Sequence, residues 1–262
     1  MIYLQEYFPE SDASIPFSSL PIVMVKGERK FWGGRLEHHI GMYFMQALSS
    51  LIPVEALELK ASDRVLDMCA APGGKTTHIA SKLGPAGVLY ANEPNIGRGR
   101  VLKANIDKLS LANVVVLQEW GEKLSFENDS FDKILLDGPC SSEGTLREKM
   151  KKSNFTNYNE SFRVGLQRAQ RSLLKRAFDL LKPGGSLVYS TCTYDPDENE
   201  KQVATLLNEN ENAHLISLPA SLEELPFISG IDVGERDLSV TKRVYPHYID
   251  SIGFYVAKLT KH

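Results

Sequence analysis

The chain has 262 residues, of which 42% are hydrophobic, 24% charged and 9% aromatic, and its formal net charge is −3. These values suit one large domain, or one domain with a small extension, and 19 Gly and 13 Pro exclude a collagen-like or low-complexity chain. The longest uncharged stretch, residues 40–54, contains Gln46, Ser49, Ser50 and Pro53 and is too short and polar to cross a bilayer.

From residue 60 onward, short β-branched apolar runs alternate with helical patterns. Arg64–Met68 (RVLDM) predicts a buried strand, and Lys75–Leu83 a helix closed by Gly84-Pro85. Gly87–Ala91 (GVLYA) reads as a second strand, followed by a helix to about Leu109. Asn113–Leu117 (NVVVL) is a third strand and Asp132–Leu136 (DKILL) a fourth. Over Leu166–Leu181, the residues Leu166, Ala169, Leu173, Leu174, Ala177, Phe178 and Leu181 share one stripe, which predicts an amphipathic helix. Lys182-Pro183-Gly184-Gly185 ends it, and Ser186–Ser190 (SLVYS) is the fifth strand. The alternation predicts an α/β fold, a mostly parallel sheet with helices on both faces. Residues 1–59 lack this rhythm and read as an N-terminal segment ahead of a main domain at 60–262. Acids without Lys or Arg in the first twenty residues argue against a targeting segment.

The first strand runs into Cys69, Ala70, Ala71, Pro72, Gly73, Gly74 and Lys75. Small residues there let the backbone approach a ligand, and the following helix N-terminus favours an anionic group. A phosphate-binding P-loop needs Gly six positions before its Lys, where this chain has Cys69. The loop also lacks G-x-G-x-x-G, which counts against a dinucleotide-dependent oxidoreductase. Glu93 follows the second strand, where an acid accepts hydrogen bonds from ribose hydroxyls.

Two of the three cysteines lie at strand ends. Cys140 closes Asp137-Gly138-Pro139-Cys140 after the fourth strand, and Cys192 lies in Thr191-Cys192-Thr193 after the fifth. Both thiols are therefore expected at the sheet edge that carries the loop. A lone Cys is usually a small buried hydrophobe. Two at adjacent strand ends, one near Asp137, point instead to chemistry. Neither shows the paired Cys/His spacing of a zinc site, so no metal is expected. An odd count of three argues against a disulfide framework and for a reduced, cytoplasmic protein. A thiolate beside a carboxyl suits addition to C6 of cytosine, which makes C5 nucleophilic toward a methyl donor.

The chain resembles the Nop/Sun-type RNA cytosine-C5 methyltransferases. The likeness rests on Cys69–Lys75 (CAAPGGK), Asp137–Gly144 (DGPCSSEG) and Tyr189–Thr193 (YSTCT) with Glu198-Asn199-Glu200. Residues 41–50, the Arg243–His247 run (RVYPH) and Gly253-Phe254-Tyr255 add to it. The resemblance implies a Rossmann-like class I methyltransferase fold dependent on S-adenosyl-L-methionine, with residues 1–59 a partial RNA-recognition extension. It assigns the nucleophile to Cys192, the thiol needed for product release to Cys140, and contact with the cytosine N3 and amino edge to Asp137. Cys69, Ala70, Ala71, Pro72, Gly73, Gly74, Lys75, Glu93 and Asp137 would line the cofactor site. DNA cytosine methylases use the Pro-Cys thiol as nucleophile, so Cys192 in its own motif favours the RNA family. Glu93 and the Ser-Ser-Glu-Gly form are similar to the bacterial small-subunit rRNA branch. Ribosomal RNA is thus the expected substrate and tRNA the alternative; a non-catalytic RNA-binding scaffold is the reading from another class. Where the family shows Asp-Gly near the adenine, this chain reads Gln118-Glu119-Trp120-Gly121, and Glu119 or the Trp120 indole would take that contact. That branch usually carries a C-terminal RNA-binding extension, which is not expected here beyond His262.

Charge is unevenly spread. Residues 145–176 hold nine basic side chains against two acids, net +7, and residues 195–237 eleven acids against two basic ones, net −9. The basic stretch is either a solvated face or a phosphate-binding surface; Arg168, Arg171 and Lys175 form one solvent-facing row on the long helix. The expected partner is RNA presenting an unstacked cytosine, bound by a monomer without membrane or metal.

Overall fold

The computed structural model describes residues 32–146, 160–234 and 236–262, together with a two-residue strand pair, β1 (Ala13–Ser14) and β2 (Met24–Val25). Two short helices follow, α1 (Leu36–His39) and α2 (Ile52–Ala56). The repeating unit then comprises β3 (Arg64–Asp67), α3 (Gly74–Lys82), β4 (Val88–Asn92), α4 (Ile96–Lys108) and β5 (Val114–Leu117). Beyond it lie β6 (Phe131–Asp137), α5 (Glu160–Leu180), β7 (Leu181–Thr191) and α6 (Glu200–Glu209). The last quarter adds β8 (Ala213–Ile216), β9 (Ile228–Ser229), β10 (Lys242–Val244) and β11 (Phe254–Lys261).

Strands apolar at every position must be covered on both sides, because neighbouring side chains point to opposite faces. In β3, β6 and β7 the pairs Val65/Leu66, Leu135/Ile134 and Val188/Leu187 divide in this way between two hydrophobic clusters. One cluster packs under α5 and α6 through Leu173, Leu174, Phe178, Val203 and Leu207. The other packs under α2 and α3 through Ile52, Val54, Ile79 and Ala80. The expected α/β sheet with helices on both faces is what the chain forms. Residues 48–57 share the second cluster with Val65 and Leu135, so the segment just before β3 is part of the same core.

The sheet order is β5-β4-β3-β6-β7-β11-β10-β9, with β8 also paired to β11. The first five strands are parallel; β11 runs antiparallel to β7, and β10 antiparallel to β11. Chain direction across the sheet reverses between β3 and β6, a switch point where loops diverge and leave a crevice at the strand carboxyl ends.

Two expectations for α5 need correction. The helix covers Glu160–Leu180, well ahead of the predicted Leu166. Ala169 is exposed, and Gln170, fully buried, takes the inward position. Toward its N-terminal half the helix faces polar loops at the strand ends rather than the apolar core, so a hydrogen-bonding side chain is required there. The elements β8 to β11 and α6 were not anticipated. No helix among the described residues is long and apolar enough to cross a membrane.

Candidate active site

The Gly-rich loop leaves β3 at Asp67 and enters α3 through Gly73, whose φ of 111° lies in the left-handed region that favours glycine. The loop is tied to the next unit by three hydrogen bonds. Ala70 N donates to Asn92 O (2.9 Å), Arg98 Nη2 to Ala71 O (2.9 Å) and Asn105 Nδ2 to Pro72 O (2.8 Å). Asp67 accepts from Thr76 Oγ1 at 2.7 Å, and burial pushes its carboxyl up to about 7. Burial likewise pushes the Cys69 thiol up, which disfavours its thiolate.

Glu93 is buried at the end of β4, with Oε1 accepting from Asn95 N (2.9 Å) and Oε2 lying 3.3 Å from Arg98 Nη2. Its neighbour Asn92, which sequence reasoning missed, acts as a clip. Its Nδ2 donates to Met68 O (3.2 Å) and Glu119 O (3.0 Å), while its Oδ1 accepts from Glu119 N (3.1 Å). The ends of β3, β4 and β5 are thereby held in one row. Beyond the clip, Glu119 and Trp120 are both exposed.

At the ends of β6 and β7 the predicted residues come together. Asp137 Oδ2 accepts from Lys75 Nζ at 2.7 Å and Oδ1 from Ser190 Oγ at 2.8 Å. The carboxylate is thus oriented from both sides. The Cys140 and Cys192 sulphurs lie 3.4 Å apart, and Ser142 Oγ is 3.8 Å from Cys140 Sγ. Hydrogen bonding from the Cys140 thiol holds the Cys192 thiol below the usual thiol range, with Ser142 and Lys75 assisting and burial opposing. The same bond, with burial, holds the Cys140 thiol well above that range. The backbones beneath are closely packed: Gly144 N donates to Cys192 O (2.8 Å) and Gly253 N to Gly144 O (3.0 Å). A Cβ at 144 would stand 2.3 Å from Gly253 O, so only glycine fits.

The Cys140 loop is gripped by two buried polar side chains. Gln170 Nε2 donates to Pro139 O and to Glu198 Oε2, both at 2.8 Å, and the same Glu198 oxygen accepts from Ser141 N at 3.0 Å. The backbone on either side of Cys140 is therefore fixed. The signal for Gln170 was a polar residue at i+4 from Leu166 and i−4 from Leu174, on the inward face of an otherwise apolar stripe. Arg147, Lys149, Lys151 and Lys152 lie outside the described residues. Of the rest of the basic stretch, Arg163 bonds Asp195 and Arg176 donates to the carbonyls of Leu124 and Phe126, both structural roles. Arg168, Arg171 and Lys175 are exposed.

Residues 54–260 match the family described as 16S rRNA methyltransferase RsmB/F. The chain belongs to this family. It is 40% identical over 243 residues to the 26S rRNA (cytosine-C(5))-methyltransferase nsun-1 of Caenorhabditis elegans, covering 87% of this chain and 35% of that one. Ribosomal RNA small subunit methyltransferase F of Klebsiella pneumoniae (strain 342) is 37% identical over 235 residues, again 87% of this chain and 47% of the relative. This member thus spans less than half the length of those RsmB/F relatives. The crystal structure of NSun6 from Pyrococcus horikoshii with SFG superposes with a TM-score of 0.75 at 34% identity, over 87% of this chain and 56% of that one. The fold is the Rossmann-like class I methyltransferase fold, and the family resemblance read from the motifs is correct.

The NSun6 structure from Pyrococcus horikoshii was solved with SFG, an analogue of S-adenosylmethionine. The residues present fit it. A buried carboxylate, Glu93, stands at the β4 end, where ribose hydroxyls donate. The N-terminus of α3 and the Gly73-Gly74 backbone suit the amino-acid carboxylate.

Proposed function

We propose that this chain methylates C5 of cytosine in RNA, with ribosomal RNA as substrate, through a covalent adduct on Cys192. The observation that carries the reading is the pair of thiols at 3.4 Å beside a carboxylate fixed by Lys75 and Ser190. S-adenosylmethionine supplies the electrophilic methyl group. The Cys192 thiolate adds to cytosine C6, forming a C–S bond and moving electron density to C5. Asp137 accepts from the amino group at the Watson–Crick edge and fixes the ring over the sulphur. In the free site, the partly ionised Cys192 keeps Cys140 protonated. Once Cys192 becomes a neutral thioether its share of that restraint ends, burial remains, and Cys140 gives up its proton to solvent. The Cys140 thiolate then takes the C5 proton, the C6–S bond breaks, and Cys192 leaves as thiolate.

Bisulfite sequencing of total RNA from cells with and without this protein tests the reading. Loss of a 5-methylcytosine from ribosomal RNA is expected. Loss confined to tRNA would replace the substrate, and no loss in any RNA would overturn the activity.

The exposed row on α5 gives a second expected result. Reversing Arg168, Arg171 and Lys175 to Glu should weaken RNA binding and make its logarithmic salt slope shallower by roughly 2, at about 0.7 per phosphate contact. Affinity for S-adenosylhomocysteine should not change. An unaltered slope would identify the row as a solvated helix face.

A further inference from the structure

Four aromatic rings run outward from the thiol pair. Tyr194, two residues beyond Cys192, stacks on Tyr245 with centroids 5.2 Å apart and planes inclined by 18°. Tyr245 meets His247 at 5.6 Å and 32°, and His247 meets Tyr248 at 4.2 Å and 45°. Exposure rises along the series. Tyr194 and Tyr245 are half-buried, His247 is exposed, and Tyr248 is 54% exposed. Packing alone would draw such rings inward, as it does Ile249, the next residue.

Topology places this series relative to the site. Because β10 and β7 are each antiparallel to β11, they are parallel to one another. The carboxyl end of β10, where Tyr245 emerges, therefore opens on the same sheet edge as Cys192. Along that edge the Gly-rich loop and Glu93, at β3 and β4, lie to one side of the thiols, and Tyr245, His247 and Tyr248, past the end of β10, lie to the other. A cofactor in the loop occupies the first side. The polynucleotide carrying the target base is left with the second.

The base of the series is rigidly held. Arg243 on β10 donates from Nη1 to Tyr194 O at 3.0 Å while pairing through Nε and Nη2 with Glu200. Tyr194 packs over the backbone of Gly253. Tyr248 N and Ile249 N both donate to Tyr245 O, at 3.0 and 3.3 Å, closing the turn that presents the outer rings.

We infer that the Tyr194–Tyr245–His247–Tyr248 series is a stacking shelf for a nucleobase adjoining the target cytosine in single-stranded RNA, with Tyr248 taking the base. This rests on the RNA methylation proposed above. A cytosine must leave its stack to reach Cys192, and its neighbour then loses a stacking partner. An aromatic face restores that contact and accepts any base, so the shelf supplies affinity and strand direction without sequence selectivity.

Two synthetic single-stranded nonaribonucleotides test this with the full chain. One carries a single cytosine flanked by adenosines; the other has abasic sites at both flanking positions. The wild type should bind the intact strand about ten-fold more tightly than the abasic one. Tyr248→Ala should bind the intact strand as weakly as the wild type binds the abasic strand, with no further loss on removing the flanking bases. Tyr248→Phe should behave as wild type. Equal affinity of all variants for S-adenosylhomocysteine checks that the site remains folded. A Tyr248→Ala protein that keeps the full penalty for abasic flanks overturns the shelf. So does a wild type indifferent to those flanks, which would leave the exposed rings to a protein partner. If the flanking-base dependence holds but no RNA accepts a methyl group, the proposed activity fails while the shelf stands.

Discussion

Replacing Cys192 by Ala should abolish methyl transfer, by on the order of 10⁴-fold or more, and leave no protein–RNA conjugate. Cys140→Ala should do the reverse, attacking the base, transferring about one methyl per protein and then stalling as a conjugate that survives a denaturing gel. The two sulphurs lie 3.4 Å apart, so proximity alone does not rank them. Their environments do. Cys192 is held below the usual thiol range and Cys140 well above it, so the thiolate forms first on Cys192. Cys140 also sits on a loop clamped by Gln170 and Glu198 on both flanks, which suits a proton carrier that must not move toward the ring. The conjugate should require S-adenosylmethionine, because methylation removes the easy reversal of the addition, and the double variant should form none. A conjugate trapped in Cys192→Ala and absent in Cys140→Ala would exchange the two roles.

Arg243→Met should lower the melting temperature by about 10 °C at pH 7. Arg243 and Glu200 are both buried, and Glu200 Oε1 also accepts from Ile231 N at 2.9 Å. Removing the guanidinium leaves a carboxylate without its counter-charge in a dry environment, a loss of roughly 3–5 kcal/mol. At about 2–4 °C per kcal/mol for a chain of this size, the shift is large. Arg243→Met with Glu200→Leu should recover most of the loss. Differential scanning calorimetry decides, and a drop under about 2 °C for the single variant would show that the neighbourhood relaxes to admit water. The same substitution should loosen Tyr194 and Tyr245, which ties this ion pair to the ring series.

Sequence by itself determined the parallel half of the molecule. Runs such as RVLDM, DKILL and SLVYS are apolar on both faces, which only a sheet covered on both sides tolerates, and the intervening helices carry regular stripes. Parallel connection by helices then sends every strand carboxyl end to one edge, so a Gly-rich loop, Asp137 and two cysteines at strand ends had to share a crevice. The antiparallel half could not be read in this way. β9 and β10 are two and three residues long, and the last strand, Phe254–Lys261, carries Lys258, whose ammonium is buried against Glu58 from 200 residues away. Such a charge breaks the apolar pattern in sequence and is explained only by its distant partner. The same limit applied within the site. A stripe count could not tell exposed Ala169 from buried Gln170, because what Gln170 faces is the Pro139 carbonyl and Glu198, 28 residues further along the chain. Residue types and spacing carry periodicity and strand direction, which are local. The 3.4 Å separation of the thiols, the two-sided clamp on Cys140 and the stacking of Tyr194 on Tyr245 are set by contacts between segments far apart in sequence, and only the tertiary structure decided them.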